Sequence, residues 1–171
     1  LIKPFNQELV LETNSYAADT ISPRRYMMEA LYAELLLWYT GFHPSDRYNA
    51  LLDEKFLNDS GNEWYLELEE YSSDLPESMG IFERYWADER PGLDRDLFGK
   101  RLFAGLKCAY DIELLEISDF GIRCNKLWHM LPNAMIAVEP FHTLIYADDP
   151  LSWGDEEQTR KLYERAFVFY D

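Results

Sequence analysis

Residues 22–41, SPRRYMMEALYAELLLWYTG, decide the fold class. Ser22 followed by Pro23 is a helix-start pattern, because the serine hydroxyl accepts from an early amide with no intrahelical partner and proline's fixed φ suits the first helical position. Gly41 is the matching stop, since glycine takes the left-handed conformation at a helix end without strain. Between them Tyr26, Met27, Met28, Leu31, Tyr32, Leu35, Leu36, Leu37 and Trp38 occupy every side of a 3.6-residue period, interrupted mainly by Glu29 and Glu34. A helix that is apolar all round has no face to give to water and belongs inside a core. The pattern predicts a buried central helix over 23–40, with the rest of the chain packed about it.

Punctuation further along divides the remainder into more helices. Ser45 is placed to cap a segment carrying Tyr48, Leu51, Leu52 and Phe56, which ends in a turn over 58–61. An acidic segment follows and is closed by Pro76. A short amphipathic piece covers 78–88, and Arg90-Pro91-Gly92 is the strongest internal loop signal. A long helical pattern then runs from Asp94 to Ile117, with a break near Asp111. Asp119 is placed to cap a helix that stops before Pro132, and Asp149 or Ser152 starts a final one through Phe169. The sum is an all-α chain, a bundle of about six to eight helices around the buried one, forming a single domain over 1–171. Residues 134–147 leave two readings open. The apolar runs 135–138 and 143–146, split by Glu139-Pro140, fit a small β-hairpin as well as helix.

Size and charge bound the function classes. A chain of 171 residues with 47% hydrophobic and 16% aromatic content has enough apolar material for one ordinary core. Its formal net charge of -16 bears on association more than on topology. Direct binding of double-stranded nucleic acid is disfavoured, because it requires Lys and Arg to replace condensed counterions and the basic residues here form no stripe, clustering at most in small groups such as Arg24-Arg25, Lys100-Arg101 and Arg160-Lys161. Membrane association is disfavoured too: the longest apolar candidate, 130–138, is interrupted by Pro132 and falls short of the ~20 residues a span needs. Cys108 and Cys124 have no zinc-type or CxxC spacing; two buried thiols are expected, with one disulfide as the alternative. Free thiols fit a cytoplasmic location. No signal-peptide pattern is visible at the start, although the chain opens at Leu1 and a removed leader stays open.

The sharpest charge feature lies between Lys55 and Arg84, where twenty-eight residues pass without a Lys, Arg or His. Glu63, Glu67, Glu70 and Asp74 there follow i, i+4, i+7, i+11 spacing, which places four carboxylates on one helical face. Like charges at that spacing repel, so the stripe invites a cation or a basic partner protein. Trp64 and Tyr71 lie inside the same stretch, and aromatic anchors in a charged surround are the composition of a binding hot spot. The expected function is therefore a small acidic protein-binding module. Small acidic nuclease inhibitors and bacterial immunity proteins share its charge and size, and the likeness goes no further. A homodimer is also left open.

A second acidic run, Glu113, Glu116 and Asp119, has E-x-x-E-x-x-D spacing. On a helix, these carboxylates would sit about a turn apart and could share Mg²⁺ or Mn²⁺, leaving positions for substrate phosphates. Over 113–119 alone the run resembles the tail of the acidic motif of all-helical nucleoside triphosphate pyrophosphatases; the E-E-x-x-E block that precedes it in those enzymes has no counterpart here. The alternative function is thus a divalent-metal-dependent nucleotide phosphohydrolase. Of the histidines, His43 follows the buried helix in Gly41-Phe42-His43-Pro44, a loop placed to line a pocket, whereas His129 sits beside Trp128 and Met130 as a packed or half-exposed residue. No Walker loop, G-x-S-x-G elbow, H-E-x-x-H or dinucleotide fingerprint is present.

Overall fold

The computed structural model describes residues 23–88 and 92–171, with side chains from Met28 onward. Helix α1, Pro23–Tyr39, is the predicted central helix, and from Met28 to Leu37 every residue is buried. Its proposed cap, Ser22, lies outside the described residues. Its end is built as glycine allows: Gly41 has φ +82°, and the amides of Gly41 and Phe42 turn back onto the carbonyls of Trp38 and Leu37 at 2.9 and 2.8 Å. The turn drops Phe42 into the core and His43 beneath it, both buried.

Seven further helices follow among the described residues: α2 Ser45–Asn58, α3 Glu63–Glu70, α4 Leu75–Asp88, α5 Arg95–Asp111, α6 Ile117–Trp128, α7 Thr143–Tyr146 and α8 Glu156–Phe167. A 3-10 turn over Asp149–Trp153 precedes α8. Helix α1 packs chiefly on α5 and α2, with α4 as a third neighbour, so the apolar helix is covered by segments that follow it in the chain. Helix α3 bridges α2 to α4, while α8 lies against α5, α7 and the 3-10 turn. The all-α architecture is as the sequence predicts.

Aromatic side chains do much of the packing. Tyr32 of α1 meets Phe82 of α4 and Phe98 of α5 at centroid distances of 5.1 and 5.3 Å. Phe120 joins Phe42 to Tyr163 at 5.0 Å on each side. The two Phe120 pairs are edge-on, a geometry that aromatic quadrupoles favour, adding to the area each ring buries.

The region 134–147 resolves in favour of helix and turn, and the described residues contain no strand. Its backbone hydrogen bonds are local, Met135 to Pro132 at 2.8 Å and Val138 to Met135 at 3.0 Å, which leaves nothing to form a hairpin ladder. The indole of Trp128 donates to the Ile136 carbonyl at 2.9 Å, and Phe141 is inserted against Phe98 and Phe103. The Glu139-Pro140 bond is cis. The thiol expectation is half corrected: Cys124 is buried, but Cys108 is exposed, and both are free. Among the described residues no helix is long and apolar enough to cross a membrane.

Candidate functional site

Asn62 opens α3, its side-chain oxygen accepting from the Trp64 amide at 3.1 Å. The helix lasts only eight residues and stops at Tyr71. The chain then turns, with the Asp74 amide donating to the Tyr71 carbonyl at 2.8 Å, and Asp74 becomes the cap of α4 by accepting from the Glu77 amide at 3.2 Å. Pro76 therefore does not close the acidic helix. It stands in the first turn of the next one, where its missing N–H is not needed. The predicted stripe of four acids is corrected to three on α3 and one at the head of α4.

Glu63, Glu70 and Asp74 are exposed, while Glu67 is half-buried and paired with Arg84 of α4. The aromatics separate as well. Trp64 is half-buried and sets its ring edge-on to Tyr85 at 5.4 Å, so it belongs to the core margin and not to a presented surface. Tyr71 is exposed, and Leu66, on α3 itself, is 47% exposed. Glu69 faces Asp53 across the α2 to α3 contact. Burial first, then the charge and hydrogen bonding of Asp53, push the Glu69 carboxyl above its ordinary value.

A second cluster lies around α1. Glu34 is buried, and its Oε2 is 2.7 Å from His43 Nδ1. The Glu34 Oε1 accepts from an Arg101 Nη of α5 at 3.0 Å. Arg47, from the first turn of α2, donates to His43 Nε2 at 3.1 Å and lies 4.0 Å from the same Glu34 oxygen. With Nε2 accepting, the ring's proton is on Nδ1, directed at Glu34. Burial acts to raise the Glu34 carboxyl, but the hydrogen bond from His43, with the charges of Arg101 and Arg47, outweighs it and holds the group below its ordinary value. The sequence placed His43 correctly in the loop after α1, where it is buried and does not line the cleft at Cys108, but it did not join His43 to Glu34 or to either arginine. The available signal was a carboxylate in an otherwise apolar helix, since a buried charge needs a partner.

The run 113–119 does not lie on one helix. Helix α5 ends at Asp111, Glu113 has φ +49° in the turn beyond it, Glu116 is the N-cap position of α6, and Asp119 sits in the first turn of that helix. The sequence assigned the cap to Asp119. All three carboxylates are exposed, and among the described residues no group of three or more His, Cys, Asp or Glu side chains is placed to hold a metal ion. His129 is exposed, with its ring edge-on to Trp128, and His142 is exposed near Glu139 at 3.8 Å. Cys108 opens onto a cleft of about 380 Å³ between α5 and the C-terminal residues, beside Lys107, Phe103 and Tyr170.

Comparison with protein-family models, with curated proteins and with solved structures finds no match to this chain.

Proposed function

We propose that this chain is a small acidic protein-binding module, and that it docks a basic partner protein through α3 and the turn leading into α4. One observation carries the reading: the surface formed by Glu63, Glu70 and Asp74 is open to solvent, with Leu66 and Tyr71 exposed among the acids, while Arg84 of α4 is paired to Glu67. Such a surface combines the two elements of a steered interface. The single-sign field raises the rate of encounter with a basic surface, and the exposed apolar groups supply contacts that lose water on docking. Trp64 is left out of the contact set, since its ring is already occupied by Tyr85.

The test uses an amphipathic helical peptide of Lys and Leu as the basic probe, with backbone amide shifts recorded by NMR and association rates measured over a range of salt. The expected shifts cluster on Glu63, Leu66, Glu70 and Tyr71, and association slows steeply with salt. The Glu63→Gln, Glu70→Gln, Asp74→Asn variant, which keeps the cap at position 74, should associate more slowly and with a flatter salt dependence. Unchanged rate and slope in that variant would remove the proposal.

A further inference from the structure

The arginines over Glu34 exceed what Glu34 needs. Its two oxygens are taken by His43 and Arg101, and Arg47 is too far for a hydrogen bond to it. Arg47 instead directs one N–H to His43 Nε2 and leaves the rest of its guanidinium at the surface, 45% exposed. Arg101, 40% exposed, has a buried Nε–H with no acceptor among the described residues. Two guanidiniums against one carboxylate leave a local excess of positive charge in a chain whose net charge is -16.

We propose that this surface is an oxyanion site, in which the outward edges of Arg47 and Arg101 receive a phosphate dianion. Guanidinium forks suit such a ligand, because each presents several N–H donors in fixed geometry and stays charged at any working pH. Two of them match the charge of a phosphate dianion better than that of a single carboxylate. Glu34 and His43 are positioning residues. Glu34 anchors Arg101, and through the His43 ring it sets the donor edge of Arg47. The ring itself is fixed by close approach to α5 at Gly105, where an added Cβ would lie 3.1 Å from His43 Cε1 and 2.3 Å from a Leu37 methyl. A fixed imidazole in turn fixes the arginine that donates to it.

The experiment is thermal unfolding of the full chain with inorganic phosphate, against sodium chloride and sodium acetate at matched ionic strength. A ligand that binds only the folded state raises the midpoint by mass action. The expected result is a phosphate-specific, saturable rise. Arg47→Gln, which lies at the surface and outside hydrogen-bond range of Glu34, should fold and weaken phosphate binding by roughly tenfold or more, the loss expected for a charge-assisted hydrogen bond. Lys161→Gln, which removes an equal charge from an exposed pair on α8, should leave the phosphate response in place. A phosphate response no larger than that to chloride overturns the site, as does one that Arg47→Gln leaves intact or that Lys161→Gln reduces equally. An equal response to acetate overturns the choice of a dianion.

Discussion

Glu34 and Glu69 are both carboxylates drawn partly or wholly out of water, and the fold treats them in opposite ways. Glu34 is nearly inaccessible and is met by one imidazole and two guanidiniums, so its charge is favoured despite burial. Glu69 is half-buried and is met by another acid, Asp53, so its charge is disfavoured twice over. The first carboxylate is compensated from the loop after α1, from α2 and from α5, the last through Arg101, sixty-seven residues away in the chain. The second lies within a run of acids that has no base to offer it. Compensation of a buried charge is thus a long-range property of the fold, whereas lack of compensation can be inherited from local sequence.

The largest test of this contrast is Glu34→Ala. Removing one member of a buried ionic cluster leaves the others without their partner, at a cost of about 3 kcal/mol, the lower end for such changes because both arginines keep contact with water. A denaturant midpoint measured at neutral pH checks it. The sign with pH is fixed by the lowered value of Glu34: the folded state holds this proton less tightly than the unfolded state, so the group's contribution is complete above its ordinary value and is lost as pH falls through the depressed one. Wild type should therefore lose stability in that acidic window by more than Glu34→Ala does. Equal acid profiles would mean that the cluster is not compensating Glu34.

Much of the fold was legible because its signals are local. The apolar surround of 26–38 and the Gly41 stop define α1 without reference to any other segment. The same stretch displayed Glu29 and Glu34 as interruptions, but their uses were hidden. Glu29 accepts from the Asp94 amide at 2.9 Å across sixty-five residues, steadying the start of α5, and Arg101 reaches Glu34 from two turns further along that helix. No spacing rule connects such pairs. The acidic stretch failed for a different reason. The i, i+4, i+7, i+11 spacing is real, but Asp74-Leu75-Pro76-Glu77 is also a helix-start pattern, with an acid at the cap, proline in the first turn and glutamate three residues on. Capping took Asp74 away from α3. In 113–119, the left-handed turn at Glu113 carried no glycine or proline to mark it.

The middle-sized test asks which of those two competing patterns holds Asp74. If its main work is to cap α4, Asp74→Ala should lower stability by about 1 kcal/mol, while Asp74→Asn, which keeps the accepting oxygen and removes the charge, should lie near wild type. If instead its charge mattered to the folded state through repulsion from the α3 acids, Asp74→Asn would be more stable than wild type. The urea midpoints of the two variants separate these outcomes. They also establish whether Asp74→Asn can be used in the docking experiment without a stability effect.

The smallest effect probes the uncompensated side of the comparison and has the opposite sign. A raised Glu69 carboxyl means that the folded state holds this proton more tightly than the unfolded state does. Stability therefore falls as pH rises from the ordinary carboxylate value through the raised one, and the loss is complete at neutral pH. Glu69→Gln removes that loss and should stabilise the chain at pH 7 by roughly 0.5 kcal/mol, since the pair is screened by solvent. At a pH low enough to protonate Glu69 in both states, the gain should vanish. Asp53→Asn should reproduce the behaviour from the α2 side. A Glu69→Gln variant less stable than wild type at both pH values would show that the Glu69 carboxyl makes an attractive contact that its amide cannot. The α2 to α3 contact would then rest on a compensated group after all, and the division between a balanced core carboxylate and an unbalanced surface one would no longer hold.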